Sequence, residues 1–279
     1  MGKLASLLKS AQQQHSAVPA LNIYSRESIR GCLLAAEAAG QPVILGFGKR
    51  YLDVLSLEEA VFLTRACSRD ISVPVCLHLD HCADLSILKK AVDAGFDSVM
   101  IDGSALSLSE NVALTREAVE YAHAAGVDVE AELGAIRTGM HSSEDSGTVQ
   151  LYTDPEQAAD FCEKTGCDAL AVSIGTVHGL YKEKPCIRLD VLQAVRKATD
   201  TPLVLHGGSG TGTEMLRTCI REGITKININ TEISNTCREK LKALLNAEEP
   251  HMASLSKSLV GFYKEAALQE YRDLLEVNV

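Results

Sequence analysis

The sequence lacks any long apolar run, and no stretch approaches the roughly 18 residues that a membrane-spanning helix needs. Residues 1–20 contain no extended hydrophobic segment of the kind found in export signals. None of the nine cysteines forms a Cys-x-x-Cys pair, and the formal charge of −10 comes without a block of consecutive acidic residues. These absences predict a cytoplasmic protein with reduced thiols that binds neither nucleic acid nor a membrane.

Short apolar runs alternate with segments of helical periodicity along most of the 279 residues. The runs, rich in Val, Ile and Leu, predict eight strands at Ala20–Ile23, Pro42–Gly46, Val75–Leu79, Ser98–Ile101, Asp128–Ala131, Ala169–Ile174, Leu203–Leu205 and Lys226–Ile229. The helical segments are Glu27–Ala39, Leu57–Ser68, Leu85–Ala94, Ser109–Ala125, Pro155–Thr165, Asp190–Thr199, Thr213–Glu222 and Thr231–Leu245.

This alternation is typical of an α/β protein with a parallel sheet, and eight repeats predict closure into a (β/α)8 TIM barrel. We expect a single domain over residues 1–279, with a helical extension from about residue 250. An open doubly wound sheet is the alternative, but no glycine-rich fingerprint follows the first strand. The polar segment Gly134–Thr153 has no periodicity, which predicts a mobile loop over a site.

Three histidines follow strands of this barrel, where active sites of such barrels are built. His81 follows the third predicted strand, His178 the sixth and His206 the seventh. With carboxylates nearby, three histidines at matching strand ends predict a catalytic zinc site with one Zn²⁺ per subunit. His78 is an alternative ligand.

A glycine-rich turn follows the seventh strand as His206-Gly207-Gly208-Ser209-Gly210. Backbone N–H groups in such a turn, together with the N-terminus of the next helix, can hold a phosphate. Barrel enzymes often bind phosphate at this place. Lys182 is a candidate to add a positive charge to the same anion.

Lys226 shares strand parity with Asn228 and Asn230, so it is predicted to face the barrel interior. An inward lysine could form an imine with a carbonyl substrate. We favour instead a buried ion pair with Glu130 or Glu132.

Six motifs, in their order and spacing, closely resemble the class II fructose- and tagatose-bisphosphate aldolases, and the likeness extends from about Pro19 to Leu245. They are His-Leu-Asp-His (78–81), Asp-Gly-Ser (102–104), Glu-Ala-Glu-Leu-Gly (130–134), Ala-Val-Ser-Ile-Gly-Thr-Val-His-Gly (171–179), Leu-His-Gly-Gly-Ser-Gly (205–210) and Lys-Ile-Asn-Ile-Asn-Thr-Glu (226–232).

The resemblance implies a lyase that reversibly cleaves a ketose 1,6-bisphosphate to dihydroxyacetone phosphate and glyceraldehyde 3-phosphate through a zinc-stabilised enediolate. It implies that Asp80 is the acid/base at the C4 hydroxyl, and that Asp102 and Glu132 support the zinc or bind it alternatively. A monovalent cation is a further candidate cofactor, and homodimers or homotetramers are expected. The residues implied to hold the dihydroxyacetone phosphate half are Gly179, Lys182, Gly207, Gly208, Ser209, Asn228, Asn230 and Thr231.

The chain departs from the family pattern in the polar loop, where the usual Gly-Gly-x-Glu-Asp-Gly is absent after Glu-Leu-Gly. Glu144, followed by Asp145, is the candidate for the glutamate that protonates the enediolate carbon. Lys49 and Arg50 lie near the end of the second strand, close to the rim. They could meet a distal phosphate or acid group there, but solvated charges at the start of a helix are the favoured interpretation.

The sequence leaves the aldehyde half open, because the C4 stereochemistry cannot be read from it. The substrate is a fructose or tagatose bisphosphate, or another ketose 1-phosphate with a different aldehyde half. A zinc hydrolase on the same fold is a rival, although the first strand lacks the His-x-His that such barrels commonly carry. A sugar-phosphate-binding protein without catalysis is a third possibility.

Overall fold

The computed structural model describes residues 2–134, 137–138, 152–178, 186–247 and 249–277; for 137–138 and 177–178 it describes the backbone alone. Eight parallel strands close into a barrel. They are β1 (Val18–Asn22), β2 (Val43–Gly48), β3 (Val75–Cys82), β4 (Ser98–Ile101), β5 (Asp128–Leu133), β7 (Ala169–Val172), β9 (Leu203–Leu205) and β10 (Ile224–Ile229). Two short strands, β6 (Arg137–Thr138) and β8 (Val177–His178), pair with each other outside the barrel sheet.

Ten α-helices are present in the described part of the chain. They are α1 (Lys3–Gln13), α2 (Arg26–Ala39), α3 (Leu57–Cys67), α4 (Leu85–Ala94), α5 (Leu108–Ala124), α6 (Pro155–Thr165), α7 (Leu189–Ala198), α8 (Thr213–Arg221), α9 (Thr231–Ala247) and α10 (Met252–Leu275). A 3₁₀ turn, Lys49–Tyr51, follows β2.

The predicted single-domain (β/α)8 barrel is confirmed: neighbouring strands follow the order β1-β10-β9-β7-β5-β4-β3-β2 and return to β1. Several predicted boundaries were wrong by two or three residues. β3 continues through Cys82, past the predicted end at Leu79, and β1 begins at Val18 rather than Ala20. Ends of barrel strands carry polar side chains into the interior, so their composition resembles that of loops.

The barrel interior is layered along its axis. Its lower layer, at the amino ends of the strands, is apolar and includes Ala20, Ile44 and Val204. Helix α1 closes this end, with Leu4 and Leu8 fully buried against that layer. Burial of each of these leucine side chains contributes about 1.5–3 kcal/mol to the stability of the fold. The layers above are polar, so the site is confined to the other end of the barrel.

Helix α1 is attached to the barrel by an acidic side chain from β5. The backbone N–H groups of Gly2 and Ala5 donate to the two carboxylate oxygens of Asp128, at 3.0 and 2.9 Å. Gly2 is the residue before α1 and Ala5 lies in its first turn, where a carboxylate interacts favourably with the helix dipole. Asp128 thereby caps the helix from a distant part of the chain.

The C-terminal helix α10 packs on the outside of the barrel against α2. Gly31 in α2 permits this approach, because a Cβ atom there would lie 2.3 Å from Cβ of Tyr263. The Tyr263 hydroxyl donates to that of Tyr24 at 2.9 Å, and the Tyr271 hydroxyl donates to the carbonyl of Pro42 at 3.0 Å.

None of the nine cysteines takes part in a disulfide in the structure, and seven of them are buried as predicted. Their reduced state stays a prediction. Among the described residues, no helix combines the length and apolarity needed to cross a bilayer.

Candidate active site

The structure brings five of the predicted site side chains together at the carboxyl-terminal rim of the barrel. Asp80 and His81 come from β3, and Glu132 comes from β5. Asp102 follows β4, and His206 follows β9. Four different strands therefore supply one cluster, while the roles of these residues stay predictions.

The cluster offers two overlapping sets of metal-ligand atoms, each within 4.8 Å of one another. One set is Asp80, His81 and His206, and the other is His81, Asp102 and Glu132. Nε2 of His81 lies 2.7 Å from Nδ1 of His206. Imidazole nitrogens and carboxylate oxygens are the donors that zinc accepts in catalytic sites. The residues present therefore fit a zinc ion, with His81 common to both sets.

A local irregularity of β3 lets Asp80 and His81 share the cluster, although neighbouring side chains of a regular strand point to opposite faces. The pairing of β3 with β4 shifts register between Leu79 and Cys82. Within this irregularity His81 has a φ of 47°. Such a left-handed backbone costs a residue other than glycine about 1–3 kcal/mol, and strain of this kind concentrates at functional sites.

Glu130 orients His206 from below. Oε1 of Glu130 accepts a hydrogen bond from Nε2 of His206 at 2.7 Å, and Oε2 accepts one from Nζ of Lys226 at 2.7 Å. All three side chains are fully buried. With its Nε2 bonded to a carboxylate, a neutral His206 presents the lone pair of Nδ1 to the cluster.

Lys226 therefore forms the predicted buried ion pair, and its partner is Glu130 rather than Glu132. His78 lies in the same layer: its Nδ1 is 2.8 Å from Oγ of Ser98, and its Nε2 is 3.6 Å from Oε2 of Glu130. His78 is absent from both sets of potential metal ligands. His78 lies two residues before Asp80 in β3, so its side chain is on the same face of the strand but deeper in the barrel. There it contacts Glu130, which in turn holds His206.

Asp80 is 3% exposed and accepts hydrogen bonds from two amides. Nδ2 of Asn228 donates to Oδ1 at 2.9 Å, and Nδ2 of Asn22 donates to Oδ2 at 3.3 Å. Burial raises the pKa of Asp80, but electrostatic interaction with His81, Lys226 and His206 outweighs burial and lowers it. Asp80 is thus a carboxylate at neutral pH.

Asp102 lies beside the second ring nitrogen of His81, with Oδ2 3.6 Å from Nδ1. Its Oδ1 accepts hydrogen bonds from the backbone N–H and the hydroxyl of Ser104, at 3.0 and 2.7 Å. Burial raises the pKa of Asp102, but interaction with His81 and Ser104 outweighs burial and holds the pKa well below its usual range. Asp102 is therefore negatively charged where a cation would bind.

The predicted phosphate cradle joins the loop after β9 to the start of α9. The backbone N–H of Thr231 donates to Oγ of Ser209 at 3.3 Å. Gly208 lies so close to β10 that a Cβ atom would be 2.8 Å from Cγ2 of Ile227. The loop after β9 and the end of β10 thus form one surface. Gly207 belongs to the same turn, with a φ of 65°.

Asn228 and Asn230 extend this surface toward Asp80 along β10 and its end. The amide oxygen of Asn228 is buried and has no hydrogen-bond partner in the described part of the structure. An acceptor left in this way is costly unless a ligand hydroxyl completes it. The amide oxygen of Asn228 therefore remains available to a hydrogen-bond donor at this part of the rim.

Several predicted residues lie outside what the structure describes. These are Glu144, Gly179 and Lys182, and also the side chain of His178, whose backbone is paired with Thr138 in the two short strands. Their predicted roles are unchanged. Of the loop 134–153, Arg137 and Thr138 form a strand, which sequence reasoning did not predict.

Sequence reasoning missed two contacts in the site: the hydrogen bond from the amide of Asn22 to Asp80, and the hydrogen bond between Glu130 and His206. Asn22 ends β1 at the same rim as the other site residues, so its position at a strand end was a usable signal. The contact of Glu130 with His206 had no comparable signal, because Glu130 and Glu132 share the same strand parity. Which of the two glutamates contacts His206 depends on how far each strand is shifted along the barrel axis relative to its neighbours.

Potential metal-ligand side chains at the rim of a (β/α)8 barrel, beside a buried carboxylate and a glycine-rich turn, form the kind of arrangement on which barrel enzymes build their active sites. A sequence profile of the family described as fructose-bisphosphate aldolase class-II matches residues 2–277. The chain belongs to this class II aldolase family, as the motif resemblance implied, and it is therefore a carbon–carbon lyase.

Individual relatives of the chain share between 36% and 39% of its residues. The uncharacterized protein YdjI of Escherichia coli K12 is 37% identical over 262 residues, covering 94% of this chain and 93% of that protein. The crystal structure of the YdjI aldolase has a TM-score of 0.87 at 36% identity, covering 99% of this chain and 98% of that one.

Two further relatives differ in the substrates their names state. Sulfofructosephosphate aldolase of Alkalicoccus urumqiensis is 36% identical over 276 residues, covering 98% of this chain and 94% of that protein. Fructose-bisphosphate aldolase of Geobacillus stearothermophilus is 39% identical over 254 residues, covering 89% of this chain and 87% of that protein.

Proposed function

We propose that this protein is a zinc-dependent aldolase that reversibly cleaves a ketose 1,6-bisphosphate, of the tagatose or fructose type, to dihydroxyacetone phosphate and glyceraldehyde 3-phosphate. The observation that carries the proposal is the convergence of Asp80, His81 and His206 at the rim. A buried acid/base group beside two imidazole donors is what aldol cleavage next to a bound cation requires.

His81 and His206 are the proposed zinc ligands, with His178 as the third. A bound zinc ion supplies electrostatic stabilisation of the negative charge that develops on the oxygens of the dihydroxyacetone phosphate half. Glu130 holds His206 in the tautomer that presents Nδ1. Asp102 and Glu132 bring negative charge to the same place and are the proposed supporting or alternative ligands.

Asp80 is the proposed acid/base for carbon–carbon cleavage. In the cleavage direction its carboxylate takes the proton of the C4 hydroxyl, the C4 carbonyl forms, and the electron pair of the broken C3–C4 bond stays on the dihydroxyacetone phosphate half as an enediolate. Glu144 is the proposed donor of the proton that C3 of this enediolate then takes. In the reverse direction the protonated Asp80 returns that proton to the aldehyde oxygen. The amides of Asn22 and Asn228 hold both carboxylate oxygens and fix the direction in which the carboxylate acts.

The dihydroxyacetone phosphate half is proposed to lie over β9 and β10. Gly207, Gly208 and Ser209 surround the phosphate together with Thr231 at the start of α9, where backbone N–H groups favour an anion. The buried amide oxygen of Asn228 is available to accept a hydrogen bond from a substrate hydroxyl. In this arrangement the phosphate and the reacting carbons occupy neighbouring parts of the rim.

Two measurements on the purified protein test the proposal. The first follows deuterium exchange at C3 of dihydroxyacetone phosphate, which needs no aldehyde partner. The second follows triose phosphate release from fructose and tagatose 1,6-bisphosphates. Both activities should disappear with a chelator and return with zinc, at about one bound ion per chain. Absence of exchange, together with no cleavage of either bisphosphate or of a panel of ketose 1-phosphates, would refute the assignment.

A different ketose 1-phosphate is the second candidate substrate, because one relative at 36% identity is named a sulfofructosephosphate aldolase. The hydrolase rival has no comparable support: β1 ends in Asn22, whose amide bonds Asp80, and β1 carries no histidine. We also propose a homodimer or homotetramer in the cytoplasm, which size-exclusion chromatography with light scattering would test for assembly.

A further inference from the structure

Two buried cysteines lie together where helix α6 ends and the chain turns into β7. Cys162 is in the last turn of α6, and Cys167 follows Gly166, the glycine that ends this helix. Gly166 has a φ of 68°, and the turn that it makes brings the side chains of the two cysteines into direct interaction. The cysteines are 8% and 7% exposed. This Cys162–Cys167 pair precedes β7, so it lies at the end of the barrel opposite to the candidate active site.

Polar groups at the end of α7 face the thiol of Cys162. The hydroxyl of Thr199 donates to that of Thr201 at 3.1 Å, and the hydroxyl of Thr201 interacts with the sulfur of Cys162. Because Oγ1 of Thr201 accepts from Thr199, its own hydrogen is available to the sulfur. The guanidinium of Arg196 donates to the carbonyl oxygens of both threonines and brings a positive charge near Cys162. Such surroundings stabilise a thiolate.

The two thiols of the pair differ in acidity. Interaction with Cys167 lowers the pKa of Cys162, and the two threonine hydroxyls and Arg196 act in the same direction against burial. The same interaction and burial raise the pKa of Cys167, beside which Asp168 adds a negative charge. Burial also raises the pKa of the other five buried cysteines, which are Cys32, Cys76, Cys82, Cys219 and Cys237. Among the described cysteines that are buried, Cys162 is thus the one whose surroundings favour the nucleophilic form.

We infer that the Cys162–Cys167 pair is a dithiol that a hydroperoxide oxidises to a disulfide, with Cys162 reacting first. The thiolate of Cys162 attacks the terminal peroxide oxygen and the O–O bond breaks. Cys162 becomes a sulfenic acid, and the departing oxygen takes a proton and leaves as water or an alcohol. Cys167 then attacks the sulfur of Cys162, and its proton leaves with the sulfenic hydroxyl as a second water. The two thiols lose two electrons, and the peroxide gains them.

The contact between the two cysteines also has a purely structural explanation, because an apolar contact across a glycine is common at the end of a helix. Packing alone, however, does not require hydroxyl groups and a guanidinium around one of the two sulfur atoms. Hydrogen peroxide is little larger than water, so it can reach a thiol that is 8% exposed. The inference uses no residue of the candidate active site and does not depend on the proposed function.

The experiment treats the full chain with hydrogen peroxide at pH 7, alkylates it, digests it with trypsin without reduction and analyses the peptides by mass spectrometry. Trypsin cuts after Lys164, between the two cysteines, so their disulfide appears as two joined peptides. This disulfide should form at least about tenfold faster than Cys186 is oxidised, although Cys186 is exposed. A dithiol reductant should then restore both thiols.

Single variants separate the roles of the two cysteines. In Cys167→Ser, a sulfenic acid should accumulate on Cys162 and be trapped by dimedone, because the thiol that resolves it is absent. In Cys162→Ser, Cys167 should remain a thiol over the same time. Thr201→Val should slow the oxidation of Cys162 by about 2–10-fold, because the thiolate loses one hydrogen bond. Cys237→Ser is the matched control, because it removes a buried thiol on α9 and should leave the rate unchanged.

Three outcomes would overturn the inference. In the wild type, oxidation of Cys162 no faster than that of the other buried cysteines would reduce the pair to a packing contact. A sulfenic acid that persists on Cys162 in the wild type without a disulfide would exclude Cys167 as the resolving thiol. Equal dimedone labelling of Cys167 in Cys162→Ser would refute the order of the two steps. The first two outcomes are measured on the wild type, so they do not depend on whether a variant folds.

Discussion

Replacement of Glu130 by Gln should destabilise the protein strongly, because it leaves a buried ammonium group without a counter-charge. Glu130 and Lys226 are both fully buried, and Oε2 lies 2.7 Å from Nζ. Breaking a buried pair by removing one partner costs about 3–5 kcal/mol, out of a typical free energy of unfolding of about 5–15 kcal/mol. We therefore expect Glu130→Gln and Lys226→Met each to lower the free energy of unfolding by about 3–5 kcal/mol.

The double variant Glu130→Gln with Lys226→Met should lose less than the sum of the single losses. Both charges are then absent, and buried pairs replaced by neutral side chains are often close to neutral in stability. The coupling energy between the two positions should be at least about 2 kcal/mol, which is large even for residues in contact. Equilibrium unfolding in urea, at pH 7 with a chelator present, measures all three variants without a contribution from metal.

An exposed pair supplies the control. Lys89 and Glu117 lie 2.9 Å apart, but their side chains are 34% and 59% exposed. Their single replacements by Ala should each cost less than about 1 kcal/mol and show little coupling. If the losses at Glu130 and Lys226 are simply additive, the pair is not the source of the effect.

Zinc affinity should also fall by about 10–100-fold in Glu130→Gln, because the residue behind His206 loses its charge.

Three further outcomes are expected. Asp80→Asn should retain zinc and deuterium exchange of dihydroxyacetone phosphate, while aldol addition and cleavage fall by about 10²–10⁴-fold; loss of exchange would assign Asp80 a different role. Gly208→Ala should lower the free energy of unfolding by about 1–3 kcal/mol and raise the Kd for dihydroxyacetone phosphate in calorimetry, because its Cβ would meet Ile227 at 2.8 Å. Burial, and then repulsion from Glu232, raise the pKa of Glu270 to about 8. The folded state therefore holds this proton longer than the unfolded state, and the group lowers stability as pH rises from about 4.5 to 8. Glu270→Gln should flatten that decline in urea unfolding, and an unchanged pH profile would contradict the shifted pKa.

The barrel could be predicted because its strands and helices have distinct periodicities and because glycines mark the ends of several helices. Gly95 and Gly166, for example, end α4 and α6 in the left-handed conformation. The strands Ser98–Ile101 and Leu203–Leu205 were predicted with their correct bounds for the same reason. β3 was predicted too short, since its last residues carry polar side chains into the site.

The candidate site could be predicted only as a set of positions at one rim. The sequence placed His81 and His206 at strand ends, but it contains no local signal for the register shift that turns His81 toward Asp80. Nor could it assign the contacts of Glu130, because two glutamates of equal parity compete for Lys226. Both features depend on the stagger of neighbouring strands, which is a property of the closed barrel.

Closure of the barrel has a consequence for how the chain must fold during synthesis. β1 completes the ring by pairing with β10, and Val18 lies opposite Lys226, about 200 residues later. At about 5–20 residues per second, one edge of β1 waits about 10–40 s for its partner.

Helix α1 faces the same delay, since Asp128 and the apolar layer that receives Leu4 and Leu8 are synthesised later. Contacts between residues so distant in sequence form slowly. The nascent chain therefore exposes a strand edge and an apolar helix face until its last strand emerges, which makes this interval the time at which chaperone binding or aggregation would compete with folding.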